Sequence, residues 1–287
     1  MKGNAKQKVD LWLVATPIGN LEDLSPRAVQ ILSSVDFIAA EDTRNSGRLL
    51  QHFGIKKPMI SYFEHNIVSR GEEILHRIGQ GQTCALVSDA GMPAVSDPGE
   101  MIVRQCMEAG YKVSAVPGPC ALVCAVAMSG LSTKRFTFEG FLSTAKNSRR
   151  EHLQSLATDT HTLIFYEAPH KLRGTLEDML KYLGDRRISL VREISKIYEE
   201  VLTGTISEAI EYYRTSDPIG EFVLVLEGAT DKAEETPDDD RLEGEFRSLV
   251  SSGMSGTQAA KTLAARYGLS KRDIYGKFAV NKDKSGK

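Results

Sequence analysis

The stretch over residues 83–119 constrains the fold of this chain more than any other. Two short apolar segments, residues 83–87 and 112–116, have the composition of buried strands, and the residues between them predict a helix over 98–109. A strand, a helix and a second strand within about 35 residues predict a parallel βαβ unit. Both strands run into loops of small residues, at 88–91 and 117–120. Since such sheets bind ligands outside the carboxyl ends of their strands, we expect the functional site at this edge.

The first 130 residues alternate short apolar strands with helices throughout. Strands are predicted at residues 11–15, 36–40 and 58–62, and helices from Pro26 behind a Ser25 cap, over 47–53, up to residue 80 and over 121–128. We expect Asp97 and Glu100 to form a capping box at the start of the helix over 98–109. The alternation is typical of an α/β domain, residues 1–130, whose parallel sheet is covered on both faces.

Two common phosphate-binding motifs are missing from the sequence. No G-x-G-x-x-G follows any predicted strand, and no G-x-x-x-x-G-K-[ST] occurs. We therefore expect no cofactor that is held by its pyrophosphate.

The pattern changes in the second part of the chain, residues 131–228. Strands are predicted at residues 136–141, 161–166, 188–192, 197–203 and 221–227, and helices over 146–156, up to 183 and over 207–213. Some of these strands follow one another with no helix between them, which favours antiparallel pairing. We therefore predict a second domain of the α+β type.

The C-terminal part begins with acidic residues and ends with basic ones. Eight acids fall between residues 231 and 245, so we predict a solvated linker over 229–240. Residues 241–287 predict a helical domain, in which Gly-Leu-Ser at 268–270 interrupts a helix in the helix-turn-helix pattern. Residues 256–287 hold eight basic and two acidic residues, which favours contact with a phosphate backbone through Lys261, Lys271 and Arg272. The alternative is a packed helical tail with solvated lysines.

Composition limits the class of protein. A formal charge of −2 over 287 residues excludes a protein that is basic overall, so any contact with nucleic acid must be local. The four cysteines form no C-x-x-C pair and lie in apolar segments, so we expect reduced core residues in a cytoplasmic protein and no metal site. Nothing resembles a signal peptide or a membrane span, and we expect no membrane partner.

Seven short motifs occur together and in order along the chain. They are TPIGNLED at 16–23, AEDTR at 40–44, SDAGMP at 88–93, SDPG at 96–99, VPGP at 116–119, YEAPH at 166–170 and GEFV at 220–223. Over about residues 10–228 they resemble the ribosomal-RNA group of the tetrapyrrole-methylase class of S-adenosylmethionine enzymes, and the basic tail matches the extra domain of that group. The wider class usually carries a G-x-G-P-G-D type loop after its first strand, and the loop TPIGN at 16–20 favours the ribosomal group instead.

The resemblance implies a two-domain fold with S-adenosylmethionine in the cleft between the domains. It also implies 2′-O-methylation of a cytidine ribose in 16S ribosomal RNA of the small subunit, near the decoding centre. The resemblance further implies a homodimer, and we expect no DNA partner. Residues that match the family's cofactor-contacting loops are Pro17, Gly19, Asp89, Gly91, Met92, Pro93, Cys120, Ala121, Tyr166 and Ala168. The Asp89 carboxylate could accept hydrogen bonds from the cofactor, or it could cap its own turn. Met92 could also fill the core.

A ribose hydroxyl is a very weak acid, so a base or a placed charge beside it should help methylation. Acidic and basic side chains cluster after three predicted strands, and from these clusters we select Asp42, Arg44 and Glu167 as candidate catalytic or RNA-side residues. The alternative for each is strand-end capping or surface ion pairing. Further candidates for contact with the RNA backbone are Arg27, Arg149 and Arg150.

Two other functions stay open at this point. One is methylation of a small macrocycle such as a corrinoid precursor, which would need no RNA and no residues beyond 229. The other is a non-catalytic RNA-binding factor for ribosome assembly that retains an inactive cleft.

Overall fold

The computed structural model describes residues 8–230 and 237–279. The chain divides into two compact units, Met1–Gly228 and Ala229–Lys287. Within the described ranges no helix has both the length and the apolar character that a membrane crossing requires.

The first sheet of unit 1 is entirely parallel, with the strand order β3-β2-β4-β1-β5. Its strands are β1 (Leu11–Val14), β2 (Phe37–Ala40), β3 (Met59–Ser61), β4 (Cys84–Val87) and β5 (Val113–Val116). Its helices are α1 (Pro26–Ser34), α2 (Thr43–His52), α3 (Ile67–Gly79), α4 (Gly99–Glu108) and α5 (Ala121–Met128). Separate apolar clusters pack against its two faces, which confirms the prediction of a doubly covered α/β sheet.

The second sheet of unit 1 is mixed, with the order β6-β7-β10-β8-β9. Its strands are β6 (Phe136–Phe141), β7 (Thr162–Glu167), β8 (Arg187–Arg192), β9 (Glu200–Thr205) and β10 (Phe222–Leu226). Helices α6 (Lys146–Ser155), α7 (Pro169–Leu183) and α8 (Ile206–Thr215) pack with it. Strands β8 and β9 pair antiparallel, as predicted for strands without an intervening helix, and only β6 and β7 pair in parallel.

Helix α5 follows the first sheet in the chain and packs against the second. It follows β5 directly, yet its buried residues Leu122, Ala125 and Val126 pack against Val191 and Val223 of the second sheet. Each sheet therefore contributes one wall to the space beside the start of α5.

Two predicted element starts and one predicted helix cap were wrong. Strand β9 begins at Glu200 and not at residue 197, because the backbone turns at 193–196, where the Lys196 N–H donates to the Glu193 carbonyl at 2.9 Å. Helix α2 begins at Thr43 and not at residue 47, because the Asp42 carboxylate caps it by accepting from the Arg44 N–H at 2.7 Å. The capping box on α4 does not form, since the Glu100 side chain pairs with Arg104 instead.

Unit 2 consists of α9 (Asp239–Ser251), α10 (Gly256–Tyr267) and α11 (Lys271–Phe278) around a small apolar core. Gly268 ends α10 in the left-handed conformation, with φ 65°, and Ser270 caps α11, which gives the predicted helix-turn-helix. The predicted linker was too long, because α9 begins at Asp239. Residues 231–236 of that linker and residues 280–287 of the tail lie outside the described ranges.

Candidate active site

A cleft of about 580 Å³ opens between the two sheets of unit 1. This volume lies within the range of about 300–1,000 Å³ that is usual for small-molecule sites. The loops after β1, β2, β4 and β5 form one wall, and residues at or beyond the ends of β7, β8 and β10 form the other. The cleft therefore lies at the sheet edge that the sequence predicted.

The loops after β1 and β4 are joined by a short antiparallel bridge. The Thr16 N–H donates to the Gly91 carbonyl at 2.9 Å, and the Gly91 N–H donates back to the Thr16 carbonyl at 3.0 Å. Gly91 has φ 84°, a conformation that a residue with a side chain rarely adopts. The Ser88 hydroxyl donates to the same Gly91 carbonyl at 3.1 Å. The floor of the cleft is therefore fixed backbone that a ligand can approach closely.

The residues that follow this bridge are strained. Ala94 and Ser96 have φ values of 66° and 63°, although neither is glycine. The Asp97 carboxylate holds this turn by accepting from the N–H groups of Ala94 at 2.9 Å and Gly99 at 2.7 Å. Strained backbone of this kind is often found where a site must be held in one shape.

Asp89 is fixed at the mouth of the cleft by the start of α2. Its Oδ1 accepts from the Asp42 N–H at 3.1 Å, and its Oδ2 accepts from the Asn45 side-chain amide at 3.0 Å. The carboxylate is exposed and lines the cleft. A carboxylate oxygen can accept more than one hydrogen bond, so Asp89 retains capacity for a ligand.

Two further carboxylates make this wall strongly acidic. Burial raises the pKa of Glu41, and the neighbouring charge of Asp89 raises it further. Burial also raises the pKa of Asp97, although its backbone hydrogen bonds act in the opposite direction. Like charges that share a partly desolvated site disfavour ionisation of one another. A cationic ligand would relieve this repulsion.

Tyr166 forms much of the opposite wall. Its ring contacts Phe138 and Phe141 edge to face, with centroids 4.9 and 5.4 Å away. Burial raises the pKa of its hydroxyl to about 12, so the phenol stays protonated. The apolar side chains of this wall can take up a flat ring or a methyl group.

The structure brings most of the sequence-predicted cofactor residues together. Those that line the cleft are Asp89, Gly91, Met92, Cys120, Ala121, Tyr166 and Ala168. Pro17, Gly19 and Pro93 do not line it, and Ile18 takes the place of its two neighbours.

The three candidate catalytic residues have structural contacts. Asp42 caps α2, and the side chain and backbone N–H of Arg44 lower its pKa to about 2, which makes it a weak base. The guanidinium of Arg44 is 85 % exposed. The Glu167 carboxylate lines the cleft but is buried, accepting from the Thr175 hydroxyl at 2.5 Å and pairing with Lys171 at 3.2 Å.

Of the three arginines of unit 1 that were predicted to contact RNA, Arg149 is not placed as predicted. Arg149 is only 9 % exposed, and its guanidinium pairs with the buried Asp178 at 2.5 Å, so it is not free to bind RNA. Arg150 pairs more loosely with the same carboxylate at 3.4 Å. Arg27 is exposed and lies over the Trp12 ring, 5.6 Å from its centroid.

Sequence reasoning missed several charged residues that line the cleft. In the sequence, Glu41 belongs to the cluster of acidic and basic residues at 40–44, and Asp97 matches a helix cap. Glu193, Lys196 and Glu221 were not selected, although each lies just beyond one end of a strand. Their positions directly after β8 and before β10 were the sequence feature that could have indicated a place in the site.

The residues present fit S-adenosylmethionine, which carries a positive sulfonium and a positive ammonium. The acidic wall at Glu41, Asp89 and Asp97 offers charge of the opposite sign, and the apolar wall suits an adenine ring. No phosphate-binding loop is needed for this cofactor. Within the described ranges, no group of three or more His, Cys, Asp or Glu side chains is arranged to hold a metal ion.

Comparisons with known proteins agree with this geometry. A family model described as Tetrapyrrole (Corrin/Porphyrin) Methylases matches residues 10–210. Two solved structures share the fold: a uroporphyrin-III-C-methyltransferase from Thermus thermophilus (TM-score 0.55, 18% identity, covering 76% of this chain and 94% of that one) and a cobalt precorrin-4 methyltransferase (TM-score 0.56, 15% identity, 75% and 94%).

Closer relatives carry the name ribosomal RNA small subunit methyltransferase I. The protein from Synechocystis sp. is 48% identical over 266 residues, covering 92% of this chain and 95% of that protein. The protein from Bacillus subtilis is 41% identical, covering 94% of each chain, and the one from Thermotoga maritima is 46% identical, covering 76% of this chain and 98% of that protein. The chain therefore belongs to the tetrapyrrole methylase family, in the group of the ribosomal RNA small subunit methyltransferases I.

Proposed function

We propose that this protein transfers a methyl group from S-adenosylmethionine to the 2′-oxygen of a cytidine ribose in 16S ribosomal RNA of the small subunit. The observation that carries the proposal is an acidic cleft within a chain that aligns over more than nine tenths of its length with relatives named as small-subunit methyltransferases. The acidic wall supports the cationic cofactor, and the relatives' name supports the RNA substrate.

Asp89 and Glu41 are the residues that we assign to the cofactor's positive groups. When bound, S-adenosylmethionine would supply an activated methyl group, and the acceptor hydroxyl would release its proton to solvent. The acidic wall would attract a positive sulfonium more strongly than a neutral thioether, so it would favour binding of the cofactor over binding of its product. Asn45 and the Asp42 N–H hold Asp89 in place while this happens.

Position and electrostatics are the main contributions of the protein to such a reaction. Gly91 and Ala121 let the backbone approach the ligands, and Met92 and Tyr166 exclude water from the wall. We assign Arg44 to the RNA side, because it is exposed beside Asp89. We assign no chemical step to Glu167, because its carboxylate is buried against Thr175 and Lys171.

Unit 2 supplies the second RNA contact in this proposal. Lys261, Lys271 and Arg272 are exposed on α10 and α11 and have no ion pair within the described ranges. In contrast, Arg266 pairs with Glu245, and Lys277 pairs with Asp239. Because the major groove of A-form RNA is deep and narrow, such cations contact phosphates and read RNA shape more readily than base edges.

The test is transfer of labelled methyl from S-adenosylmethionine to small ribosomal subunits that lack the modification. Naked 16S RNA and a tetrapyrrole mixture run in parallel, with wild type compared to Asp89→Ala and to a matched surface control, Asp217→Ala. We expect label on a cytidine ribose with wild type and the control, and loss of label with Asp89→Ala. Label on the macrocycle alone would support a small-molecule methyltransferase, and no label anywhere would support a non-catalytic factor.

We further propose that the protein acts as a homodimer in the cytoplasm, where ribosomal subunits are assembled. Support for the dimer comes from large apolar side chains that face solvent near the edge strand β9, among them Ile197, 94 % exposed, and Tyr198. Exposed apolar groups of this size commonly mark a protein interface. Sedimentation at micromolar concentration should give a dimer for wild type and a monomer for Ile197→Asp, and a wild-type monomer would contradict the proposal.

A further inference from the structure

The wall opposite the acidic side chains carries a single cation. Among the residues that line the cleft, Lys196 is the only lysine or arginine. It lies in the loop between β8 and β9, and its ammonium contacts Glu193 Oε1 at 2.9 Å and Glu221 Oε2 at 3.3 Å. The cleft therefore has Glu41, Asp89 and Asp97 on one wall, and on the other wall one ammonium that lies among the carboxylates of Glu167, Glu193 and Glu221.

The loop that carries Lys196 is strained and tied down. Glu193 and Ser195 have φ values of 52° and 64°, although neither is glycine. The Ser195 N–H donates to Glu199 at 2.7 Å, and its hydroxyl donates to Asp23 beyond the loop after β1. Backbone strain at two non-glycine residues of one loop persists only where surrounding contacts maintain it.

The stem of Lys196 passes close to Gly19, which lies in the loop after β1. A Cβ at residue 19 would overlap Cγ of Lys196, so only glycine allows this stem to pass. A similar restriction applies to Gly220, with φ 86°, where a Cβ would overlap the carboxylate of Glu193. Gly19 therefore leaves room for the Lys196 stem, and Gly220 leaves room for the Glu193 carboxylate that accepts from its ammonium.

Lys196 keeps its positive charge at neutral pH. Burial alone would lower its pKa, but the hydrogen bond with Glu193 and the charge of Glu221 outweigh burial and raise the pKa above its ordinary value. The lysine is therefore unsuited to be a base. The two carboxylates differ in exposure, since the Glu193 side chain is 17 % exposed and that of Glu221 is 81 % exposed. Glu221 can therefore move away from the ammonium at little cost.

We propose that Lys196 anchors the phosphodiester next to the acceptor ribose. The phosphodiester replaces the Glu221 carboxylate, which lies beside the Lys196 ammonium when RNA is absent. This inference rests on the proposed RNA substrate. A ribose that enters the cleft brings an adjacent phosphate with it, and a phosphate near the acidic wall would be repelled. Lys196 is the one lining side chain that can attract the phosphate, and the exposed Glu221 is the partner that the phosphate can replace.

The experiment measures methyl transfer to undermethylated small subunits as a function of RNA concentration and salt, for wild type, Lys196→Gln, Lys196→Arg and Glu221→Gln. Lys181→Gln, an exposed lysine on α7, is the matched control. We expect Lys196→Gln to raise KM for RNA about tenfold, with a smaller change in kcat, and to reduce the salt slope of log(kcat/KM) by about 0.7–1. Lys196→Arg should retain most of the affinity, and Glu221→Gln should lower KM.

A calorimetric Kd for S-adenosylmethionine separates this role from a structural one. In Lys196→Gln it should stay within about twofold of wild type, since the acidic wall is unchanged. An unaltered KM and salt slope in Lys196→Gln, or a raised KM in Glu221→Gln, would overturn the proposal while leaving the RNA methyltransferase intact. Lost cofactor binding in Lys196→Gln would also overturn it. Absence of any transfer to RNA by wild type would overturn both the proposed function and this inference.

Discussion

The backbone N–H of Leu122 donates a hydrogen bond to the phenolic oxygen of Tyr166 at 3.2 Å. Leu122 lies at the start of α5, directly after the parallel sheet, and Tyr166 lies on β7 of the second sheet. The bond satisfies one of the N–H groups that every helix start leaves without a partner in the helix. One residue thus lines the cleft and also connects its two walls.

Replacing Tyr166 by phenylalanine should therefore affect stability more than cofactor binding. We expect the free energy of unfolding to fall by about 1 kcal/mol, the usual cost of one hydrogen bond, because the Leu122 N–H loses its partner. The Kd for S-adenosylmethionine should change by less than about threefold, since the ring stays in place. Urea unfolding and calorimetry measure the two quantities. Tyr212→Phe, at an exposed tyrosine, is the control, and equal stability of the two variants would contradict the assignment.

Glu41→Gln should stabilise the protein at neutral pH while weakening its cofactor site. The folded state raises the pKa of Glu41 above its ordinary value of 4.5, so this carboxyl costs stability as the pH rises through the folded pKa, and costs none well below 4.5. We expect Tm at pH 7 to rise by about 1–3 °C and to match wild type near pH 3.5.

The same variant should bind S-adenosylmethionine about five- to tenfold more weakly, because it removes one negative charge from the acidic wall. Glu64→Gln, at an exposed glutamate after β3, controls for loss of charge elsewhere. A Tm gain of the same size at both pH values would show that the environment of Glu41 does not disfavour the ionised form of its carboxyl group.

We expect the Arg149–Asp178 pair to contribute to the stability of the protein and not to its affinity for RNA. Arg149→Ala should cost about 3–5 kcal/mol, because it leaves the buried Asp178 carboxylate with only the looser Arg150 contact. The double variant Arg149→Met, Asp178→Leu should recover most of that loss, with KM for RNA unchanged. Chemical unfolding and subunit methylation measure the outcomes, and a raised KM in the stable double variant would restore Arg149 as an RNA contact.

The exposed cations of unit 2 should control RNA affinity. Replacing Lys261, Lys271 and Arg272 together by glutamine should raise KM for small subunits at least tenfold and reduce the salt slope by about 2–3. The value of kcat should change little, because the cleft is unaffected. Arg247→Gln, an exposed arginine paired with Glu243 on α9, is the control, and an equal effect of control and triple variant would contradict the assignment.

Removing unit 2 altogether should leave the chemistry in place. The relative from Thermotoga maritima matches 76% of this chain over 98% of its own length, a fraction close to that of unit 1. A chain that ends at Gly228 should bind S-adenosylmethionine like wild type and methylate RNA with a similar kcat but a raised KM. Calorimetry and steady-state kinetics measure this, and a folded truncated chain with no transfer at saturating RNA would assign unit 2 a part in the reaction itself.

The sequence by itself determined the α/β class, the edge of the sheet where the cleft lies, and most of its lining. These features depend on local signals: apolar runs that read as buried strands, small residues directly after them, and capping residues such as Ser25. The turn at Gly91 and the apolar helix α5 were visible for the same reason. Motif order then indicated the family, which the comparisons confirmed.

Only the tertiary structure decided how charged side chains are used. Arg149 and Lys196 both lie in polar segments, yet one is buried against Asp178 and the other lines the cleft. The raised pKa of Glu41 depends first on burial and then on the charge of Asp89, which is far away in sequence. Burial and charge pairing are set by residues brought together from different strands, so no local pattern contains them. The charge distribution in the cleft, with carboxylates on both walls and Lys196 as the one cation of its lining, therefore follows from the fold rather than from any single motif.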